Sequence, residues 1–384
     1  MTAIVTDAHY RMSVSLIRDL FDRGVRVAAC EKASIEAPVG FASRGTAQCI
    51  RLPDEEYEAA LLALCREMLE IEGEKPVLLP VGAKTLAMVS RSRDAFSAVA
   101  GLCAATPSQL ALFNDKAAVS ALAKTLGVPV PESFERQPEE ADEPFFSRVP
   151  LPCAVKPHCG ESFGLTASQR YRICRTKNEL IAAFRHFQTL TNEDPIVQEY
   201  LPGAAYGCSV LAKDGAVYRS LCHRRVREYP VSGGPSSCCE SVSRSDLLAF
   251  SEALVQKTGF TGPAMFEFKC AADGSPRLLE VNPRVWGTFP LTRAAKTDFA
   301  YSWFCLAANL PLPEEVPAQH VKMAYYPADF AAGLGYLKAG QPGRFFAAAA
   351  DFLSPCVKNG IADPKDPAPA QVYFRNLFHR GGHK

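Results

Sequence analysis

The chain has 384 residues, a formal net charge of +1, and 48% hydrophobic and 22% charged residues. This length predicts two or three packed domains, and the composition is typical of a folded globular protein rather than of a disordered one. The balanced charge excludes a global basic field of the kind that holds nucleic acid or an anionic membrane. Neither is therefore expected as a partner.

No apolar run approaches the roughly 20 residues that a membrane span needs, and the first residues lack the charged-then-apolar order of a signal peptide. The cytoplasm is the expected location. The 14 cysteines are scattered through apolar segments and include no C-x-x-C. This pattern favours small buried thiols over a disulfide framework or a zinc site.

Residues 1–105 alternate between strand and helix patterns. AIVTDA and VRVAACE predict strands on either side of the amphipathic helix SVSLIRDLFDRG, and EEYEAALLALCREMLEI predicts a second helix that Gly73 ends before the strand PVLLPVG. This order predicts an α/β fold, with a doubly wound parallel sheet in the N-terminal domain. The first turn, residues 6–11, is not G-x-G-x-x-G, so no dinucleotide site is expected there.

The remaining chain predicts α+β structure. In residues 106–197, TPSQLALFNDKAAVSALAKTLG predicts one helix, the acidic and proline-rich EEADEPFFSRVPLP a connector, and CAVKP, YRICR and PIVQEYL strands. Residues 198–310 hold two antiparallel hairpin patterns around the helix DLLAFSEALVQKTG. Residues 311–384 are expected to be a packing appendage, with Phe345 and Phe346 on an apolar helix face.

The second hairpin pattern, AMFEFKCAADGSPRLLEVNPR, concentrates polar side chains. Glu280, Asn282 and Arg284 step by two along its second half, so they share one face, and Glu267 on the first strand can lie opposite Glu280. Two carboxylates and an amide suit Mg²⁺ carrying nucleotide phosphates, and Arg284 can hold a phosphate. A solvated outer face of an ordinary hairpin is the alternative.

Lys156 ends a short apolar strand and precedes a loop that contains Gly160, Ser162 and Gly164. Backbone N–H groups of such a loop can bind phosphate oxygens while the lysine supplies charge. A solvent-exposed lysine beside an ordinary turn is the alternative, and for His158 a polar loop side chain is the favoured interpretation.

The order of these segments resembles the ATP-grasp superfamily, and more narrowly its carboxylate–amine ligase branch. The matching landmarks span nearly the whole chain. They are NDK before a helix, GVPVPES, CAVKP with its glycine loop, VQEYLPG, GGPSS, and FEFK followed by LLEVNPRVWG. The resemblance implies an N-terminal α/β domain followed by two α+β subdomains that clamp ATP, with expected boundaries of 1–105, 106–197, 198–310 and 311–384.

The resemblance also implies roles for individual residues. Lys116 and Lys156 would contact phosphates, with Lys156 and Arg284 acting in catalysis, and the loop from His158 through Gly160 and Ser162 to Gly164 would close over them. Glu267, Glu280 and Asn282 match the Mg²⁺ ligands, with Mn²⁺ as a substitute. The nucleotide base would contact a set of hinge residues and one neighbouring side chain. These are Gln198, Glu199, Tyr200, Leu201 and Leu279.

Two further features concern the ribose and the substrate. Ala204-Ala205-Tyr206 stands where the superfamily commonly has an acidic residue that meets the ribose hydroxyls, so this contact has no assigned residue. The segment from His223 to Ser237 holds several arginines that can clamp a substrate carboxylate, and a glycine-rich loop that can move over the acceptor. A solvated basic turn is the alternative. The predicted substrate residues are Arg225, Arg227, Gly233, Gly234 and Ser236.

The resemblance implies ATP-dependent phosphorylation of a carboxylate and attack on the acyl phosphate by an amine, with amino acids or short peptides as substrates. A homodimer is compatible with it. An ATP-grasp carboxylase, or another acyl-phosphate-forming enzyme with a non-amine acceptor, is one alternative. A non-catalytic nucleotide-binding regulator is the other.

Overall fold

The computed structural model describes residues 1–158, 165, 169, 171–231 and 233–380. Its N-terminal part is a parallel sheet of order β3-β2-β1-β4 among the described residues. Helices cover both faces, as predicted for a doubly wound domain. The elements are β1 (Thr2–Val5), α1 (Arg11–Asp22), β2 (Arg26–Lys32), β3 (Thr46–Leu52), α2 (Tyr57–Glu72), β4 (Val77–Leu79), α3 (Ala83–Arg91) and α4 (Arg93–Val99).

The carboxyl edge of this sheet has a rigid first turn. β1 lies between β2 and β4, so the chain reverses direction across the sheet there, which is where α/β folds usually bind ligands. Asp7 has a left-handed backbone (φ 54°), and its carboxylate accepts hydrogen bonds from the Gly82 N–H (2.8 Å) and the Thr85 hydroxyl (2.8 Å). These contacts fix the direction in which α1 leaves the sheet.

The predicted single helix over TPSQLALFNDKAAVSALAKTLG is two helices. They are α5 (Pro107–Asn114) and α6 (Lys116–Thr125). The break falls at Asp115, whose extended backbone lets its carboxylate accept hydrogen bonds from the N–H groups of Ala117 and Ala118. As a consequence, Lys116 is the first residue of α6.

A middle subdomain contains an antiparallel sheet of order β5-β8-β6-β7 among the described residues. The predicted connector was wrong in part, because α7 forms within it and buries Phe145 and Phe146 against the sheet's apolar face. Two apolar residues in succession outweigh the acidic and proline-rich flanks. The elements are β5 (Ser133–Phe134), α7 (Asp142–Arg148), β6 (Cys153–Lys156), β7 (Arg172–Cys174), α8 (Lys177–Thr191) and β8 (Ile196–Glu199).

The C-terminal half is built on a sheet of order β13-β12-β9-β10-β11-β14-β15 within the described part of the chain. Both predicted hairpins form, the first through a turn with left-handed Asp214 and Gly215. One strand, β11, was not predicted because its start was interpreted as a loop. The elements are β9 (Ala205–Lys213), β10 (Ala216–Glu228), β11 (Ser236–Val242), α9 (Ser245–Thr258), β12 (Gly262–Cys270), β13 (Pro276–Asn282), α10 (Pro290–Ala294) and α11 (Phe299–Ala308).

The residues after 310 extend this sheet and bind back to the N-terminal domain. β14 pairs with β11, and β15 pairs with β14. Asp366 accepts hydrogen bonds from buried Arg18 (2.9 Å) and from Ser43 (2.7 Å). The elements are β14 (Lys322–Ala324), α12 (Ala328–Lys338), α13 (Pro342–Leu353), β15 (Val357–Asn359) and α14 (Ala368–Arg380). Phe345 packs between the helices α12 and α13, whereas Phe346 is 67% exposed.

The structure confirms the predicted fold class of α/β structure followed by α+β structure. The described cysteines are unbridged and buried apart from Cys49 and Cys356. Among the described residues, no helix combines the length and apolarity that a membrane crossing requires. The predicted domain boundaries stay a prediction, although β8 crosses the one at 197 by pairing with β5 and β6.

Candidate active site

The hairpin of β12 and β13 places the two predicted metal carboxylates opposite each other. Glu267 pairs with Glu280 in the strand register, and Phe268 pairs with Leu278, so Leu279 occupies a β-bulge. The bulge lets Leu278 face the core while Glu280 and Asn282 share the other face with Glu267. Asn282 donates a hydrogen bond to Glu267 Oε1 at 3.3 Å. The structure therefore brings the three predicted ligands together.

Each of the two carboxylates also has a basic partner. Arg225 on β10 donates to Glu267 Oε2 at 2.5 Å, and Lys116 Nζ lies 3.0 Å from Glu280 Oε2. Burial raises the pKa of Glu267, Arg225 opposes the rise, and the Glu280 carboxylate adds to it. Burial also acts to raise the pKa of Glu280, but Lys116, followed by Lys156 and Arg225, brings it below its ordinary value.

Lys156 ends β6 of the middle subdomain and faces the same group of charges. Burial, together with the neighbouring Lys116, lowers its pKa to about 8, while Glu280 acts in the opposite direction. Two lysines, one at the start of α6 and one at the end of β6, thus converge next to Glu280. An arrangement of this kind suits an anionic ligand that carries several negative charges, because such a ligand neutralises both ammonium groups.

The donor set fits a hard divalent cation. Glu267, Glu280 and Asn282 offer oxygen atoms from adjacent strands, which is the ligand type that Mg²⁺ prefers. Over the described part of the chain, no group of three or more His, Cys, Asp or Glu side chains is arranged to hold a metal. A cation here would consequently need additional oxygen ligands, such as phosphate oxygens or water.

The predicted hinge, Gln198 to Leu201, begins in the last two residues of β8 and continues past its end, beside this hairpin. The Gln198 side chain donates to Ser133 (3.0 Å), and the Glu199 N–H donates to the Glu132 carbonyl (2.9 Å), so both are engaged within the middle subdomain. Leu201 is buried and Tyr200 is half-buried. Glu199 Oε1 is buried and accepts no hydrogen bond from the described residues, and Arg277 Nε lies 3.8 Å away.

The predicted phosphate loop is described only at its start. His158 follows β6 and is partly buried. Gly160, Ser162 and Gly164 lie outside the described residues. Their predicted contact with phosphate stays a prediction, as does the role of His158.

Among the predicted substrate arginines, Arg225 contacts the candidate metal site and Arg227 contacts other groups. A β-bulge separates them, which breaks the alternation that would have placed both on one face. Arg227 is 4% exposed and donates to both Asp329 oxygens at 2.8 Å, and to Asp351 at 2.7 Å. These ion pairs give Arg227 a structural role that the sequence pattern did not indicate.

The glycine-rich segment before β11 packs closely against its surroundings. Gly233 (φ 129°) has no room for a side chain, because a Cβ atom would lie 1.5 Å from the Tyr171 hydroxyl. At Gly234 a Cβ atom would lie 2.4 Å from the Tyr229 carbonyl oxygen. Ser236 was expected in a mobile loop but begins β11, and its hydroxyl donates to the Cys238 carbonyl (3.0 Å).

Arg284 lies two residues beyond the end of β13, after Pro283. It donates to the Asn282 side-chain oxygen at 3.3 Å and to the Val285 carbonyl at 3.0 Å. The contact with Asn282 holds the guanidinium at the end of the β12–β13 hairpin. The structure thereby places Arg284 next to the predicted ligands, and its contact with a transferred phosphate stays a prediction.

Sequence reasoning missed several residues that line this region. Tyr171, in the middle subdomain, lies near Glu228 and Arg225, and burial raises the pKa of its phenol. His223 is buried, with Nε2 3.3 Å from the Thr288 hydroxyl, and burial next to Arg225 lowers its pKa to about 3. A histidine on a strand with arginines gave no spacing signal, because its partner is 65 residues away.

Comparisons with known proteins address the fold of the chain. Residues 191–326 match a family described as ATP-grasp in the biosynthetic pathway with Ter operon. No curated protein matches the sequence significantly. Several solved structures superpose over 84% of the chain. One is the biotin carboxylase domain dimer of Hydrogenobacter thermophilus 2-oxoglutarate carboxylase with MgADP and bicarbonate (TM-score 0.65, 15% identity, 73% of that chain).

The chain has the ATP-grasp fold. Two more structures support this at similar identity. They are biotin carboxylase from Campylobacter jejuni in a complex with β,γ-ATP (TM-score 0.65, 15% identity, 84% of this chain and 74% of that one) and the L-amino acid ligase from Bacillus licheniformis (TM-score 0.58, 15% identity, 84% and 78%). The predicted resemblance to the ATP-grasp superfamily is confirmed. The narrower branch is not decided by these likenesses, because carboxylases and ligases share the fold.

Proposed function

We propose that this ATP-grasp protein is a Mg·ATP-dependent carboxylate–amine ligase, which forms an amide bond through an acyl phosphate and releases ADP and phosphate. The observation that supports it best is the opposed pair Glu267 and Glu280, with Asn282 beside them and Lys116 and Lys156 next to Glu280. Such a pair can serve as a two-carboxylate cation site, with two lysines nearby that would bind phosphates.

In this proposal, Glu267, Glu280 and Asn282 hold Mg²⁺, which when bound neutralises and orients phosphate oxygens. Lys116 on α6 and Lys156 on β6 bind the phosphates of the nucleotide. Arg284 faces the transferred phosphoryl group, where its fork can donate two hydrogen bonds to phosphate oxygens. Positioning supplies most of the rate, since phosphoryl transfer needs little covalent help from the protein.

The chemistry balances without a protein nucleophile. A substrate carboxylate oxygen attacks the terminal phosphorus of ATP, and the bond from that phosphorus to the bridging oxygen breaks to release ADP. The amine nitrogen then attacks the acyl carbon, the carbon–oxygen bond to phosphate breaks, and the amine loses a proton. Exclusion of water protects the acyl phosphate between these steps. The closing loop 158–164 is proposed to provide that exclusion.

The nucleotide base is proposed to contact the hinge from Gln198 to Leu201, with Leu279 on the bulge packing against its face. The ribose hydroxyls have no acidic partner at Ala205. We assign that contact to Glu199, because Oε1 is a buried acceptor without a hydrogen bond among the described residues. The amide N–H of Glu199 is already used by Glu132, so the side chain rather than the amide serves the nucleotide.

The test is ADP release with Mg²⁺ and ATP across pairs of amino acids, with bicarbonate in a separate arm. Amine-dependent ADP release with an amide product supports the ligase. Release that depends on bicarbonate alone supports a carboxylase, and nucleotide binding without turnover supports a regulator. Mn²⁺ in place of Mg²⁺ should retain part of the activity.

Glu280→Gln should abolish ADP release in a protein that remains folded, because the amide removes the negative charge and one oxygen ligand of the cation. Glu240→Gln is the matched control. Glu240 pairs with Arg224 at 2.9 Å on another pair of strands, and its loss should leave turnover unchanged. Circular dichroism checks that the Glu280→Gln variant is folded. Full turnover in this folded variant contradicts the metal assignment.

A further inference from the structure

One arginine in the N-terminal domain has a hydrogen-bonding fork that the described residues leave largely open. Arg11, the first residue of α1, donates from Nη2 to the Gly287 carbonyl at 3.1 Å. No carboxylate among the described residues forms an ion pair with it, whereas Arg225 and Arg227 are each held by acids. A guanidinium has five N–H donors, so most of its capacity is unused by the described part of the protein.

An aromatic ring and its neighbours fix the position of this guanidinium. It stacks over the Tyr325 ring at 4.2 Å. That ring is 1% exposed, and Gly360 supports it, because a Cβ atom there would lie 2.1 Å from the ring. Burial raises the pKa of the Tyr325 phenol well above its ordinary value, so the ring stays neutral and keeps its attractive π-face for the cation.

The turn that presents Arg11 is rigid as well. His9 in this turn contacts one carboxylate oxygen of buried Glu31 twice. Its backbone N–H lies 2.7 Å from that oxygen, and its ring Nδ1 lies 2.6 Å from it. Asp7 is anchored to Gly82. A side chain supported in this way loses little freedom on binding, which favours affinity for a small ligand.

Contacts connect Arg11 to the candidate active site. Gly287 is three residues beyond Arg284, and the adjacent Thr288 contacts His223 on β10. Tyr325 contacts Cys239, which pairs across the sheet with Arg225. Room remains beside the guanidinium, because a Cβ atom added at exposed Gly287 would meet only Arg11, at 3.6 Å.

We propose that Arg11 binds the carboxylate of the acceptor amine, so that the acceptor is an amino acid or a peptide with its free carboxylate held on the β1–α1 turn. This rests on the proposed ligase function and specifies its second substrate. A planar fork stacked on an aromatic ring is suited to two parallel hydrogen bonds to a carboxylate. Anchoring the acid end at Arg11 leaves the amine end of the same molecule free to meet the acyl phosphate.

The experiment compares Arg11→Ala and Arg11→Lys with the wild type, using each acceptor amino acid and its carboxamide. Arg11→Ala should raise the KM for the acceptor about 10- to 100-fold, as expected for one charge-assisted contact. The kcat at saturation and the KM for ATP should change little. The wild type should prefer the acid over the amide, and Arg11→Ala should lose that preference, with Arg11→Lys intermediate.

The matched control is Arg26→Ala. Arg26 is an exposed arginine at the start of β2, so it lies at the amino ends of the strands, opposite the turn that carries Arg11. Equal kinetics for Arg11→Ala and Arg26→Ala, or a wild type that uses acids and amides equally, overturns the inference. If no pair of substrates releases ADP, the proposed function fails, and direct binding still decides the inference. In that case, thermal stabilisation by L-amino acids over their amides must be present in the wild type and absent in Arg11→Ala.

Discussion

The lowered pKa of Lys156 predicts that nucleotide affinity depends on pH in the alkaline range. Burial and the nearby Lys116 bring the pKa of Lys156 to about 8. A bound triphosphate restores the negative charge around the ammonium group and returns its pKa toward the ordinary value of about 10.4. Binding therefore takes up a proton above pH 8, and affinity is lost as the pH rises.

The size of this pH effect follows from the difference between the pKa of Lys156 in the free protein, about 8, and its pKa in the complex, about 10.4. Below about pH 8 the free protein already carries the charged lysine, and affinity is at its maximum. Above it, each pH unit lowers the charged fraction tenfold until the pKa of the complex is approached. Between pH 7 and about pH 9.5 the dissociation constant should rise about 30-fold. The nucleotide itself does not titrate in this range, since the last phosphate pKa lies near 6.

Isothermal titration calorimetry with a non-hydrolysable ATP analogue and Mg²⁺ measures this dependence. Repetition in two buffers of different ionisation enthalpy should show uptake of close to one proton near pH 9. Lys156→Arg is the control, because its guanidinium stays charged and should give a flat profile. A flat profile in the wild type, or an unchanged slope in Lys156→Arg, refutes the reasoning.

Two further predictions concern buried ion pairs. Asp329→Ala should lower the free energy of unfolding, measured in urea, by about 3–5 kcal/mol, because Arg227 stays buried without its main partner. The double variant Arg227→Met/Asp329→Leu should recover much of this loss, because it removes both charges. Loss of turnover in a fully stable Arg227→Met would contradict the structural role. Asp366→Asn should detach the C-terminal segment from Arg18. Limited proteolysis should then cleave the residues after 355 sooner than in the wild type. Unchanged cleavage would show that this ion pair does not hold the segment.

The sequence was sufficient to predict elements whose signal is local. The β12–β13 hairpin followed from alternation of polar residues around an Asp-Gly turn, and the end of α2 followed from Gly73, which is left-handed in the structure (φ 70°). The bulge at Leu279 was not predicted. It leaves no mark in composition, yet it is what allows Leu278 and Val281 to reach the core while Glu280 and Asn282 point to the site.

What the sequence could not predict are the partners that come from distant segments. Arg225 and Arg227 are indistinguishable by pattern, and only the fold shows that one meets Glu267 and the other Asp329, 102 residues further on. Tyr171 and Arg11 were missed for the same reason. β11 was missed because its Ser-Ser-Cys-Cys start resembles a loop, although pairing with β10 and β14 on both sides makes it a central strand.

The charges at the candidate site indicate how the protein tolerates two partly buried carboxylates that lie opposite each other on neighbouring strands. Glu267 is held by Arg225 and Glu280 by Lys116, so neither acid is left without a counter-charge. A nucleotide with its cation brings both signs of charge. The cation can replace Lys116 at Glu280, and the phosphates can take the released lysine. Ligand binding of this kind exchanges partners without creating an unpaired charge, and it would couple Lys116 on α6 to the hairpin that carries Glu267 and Glu280.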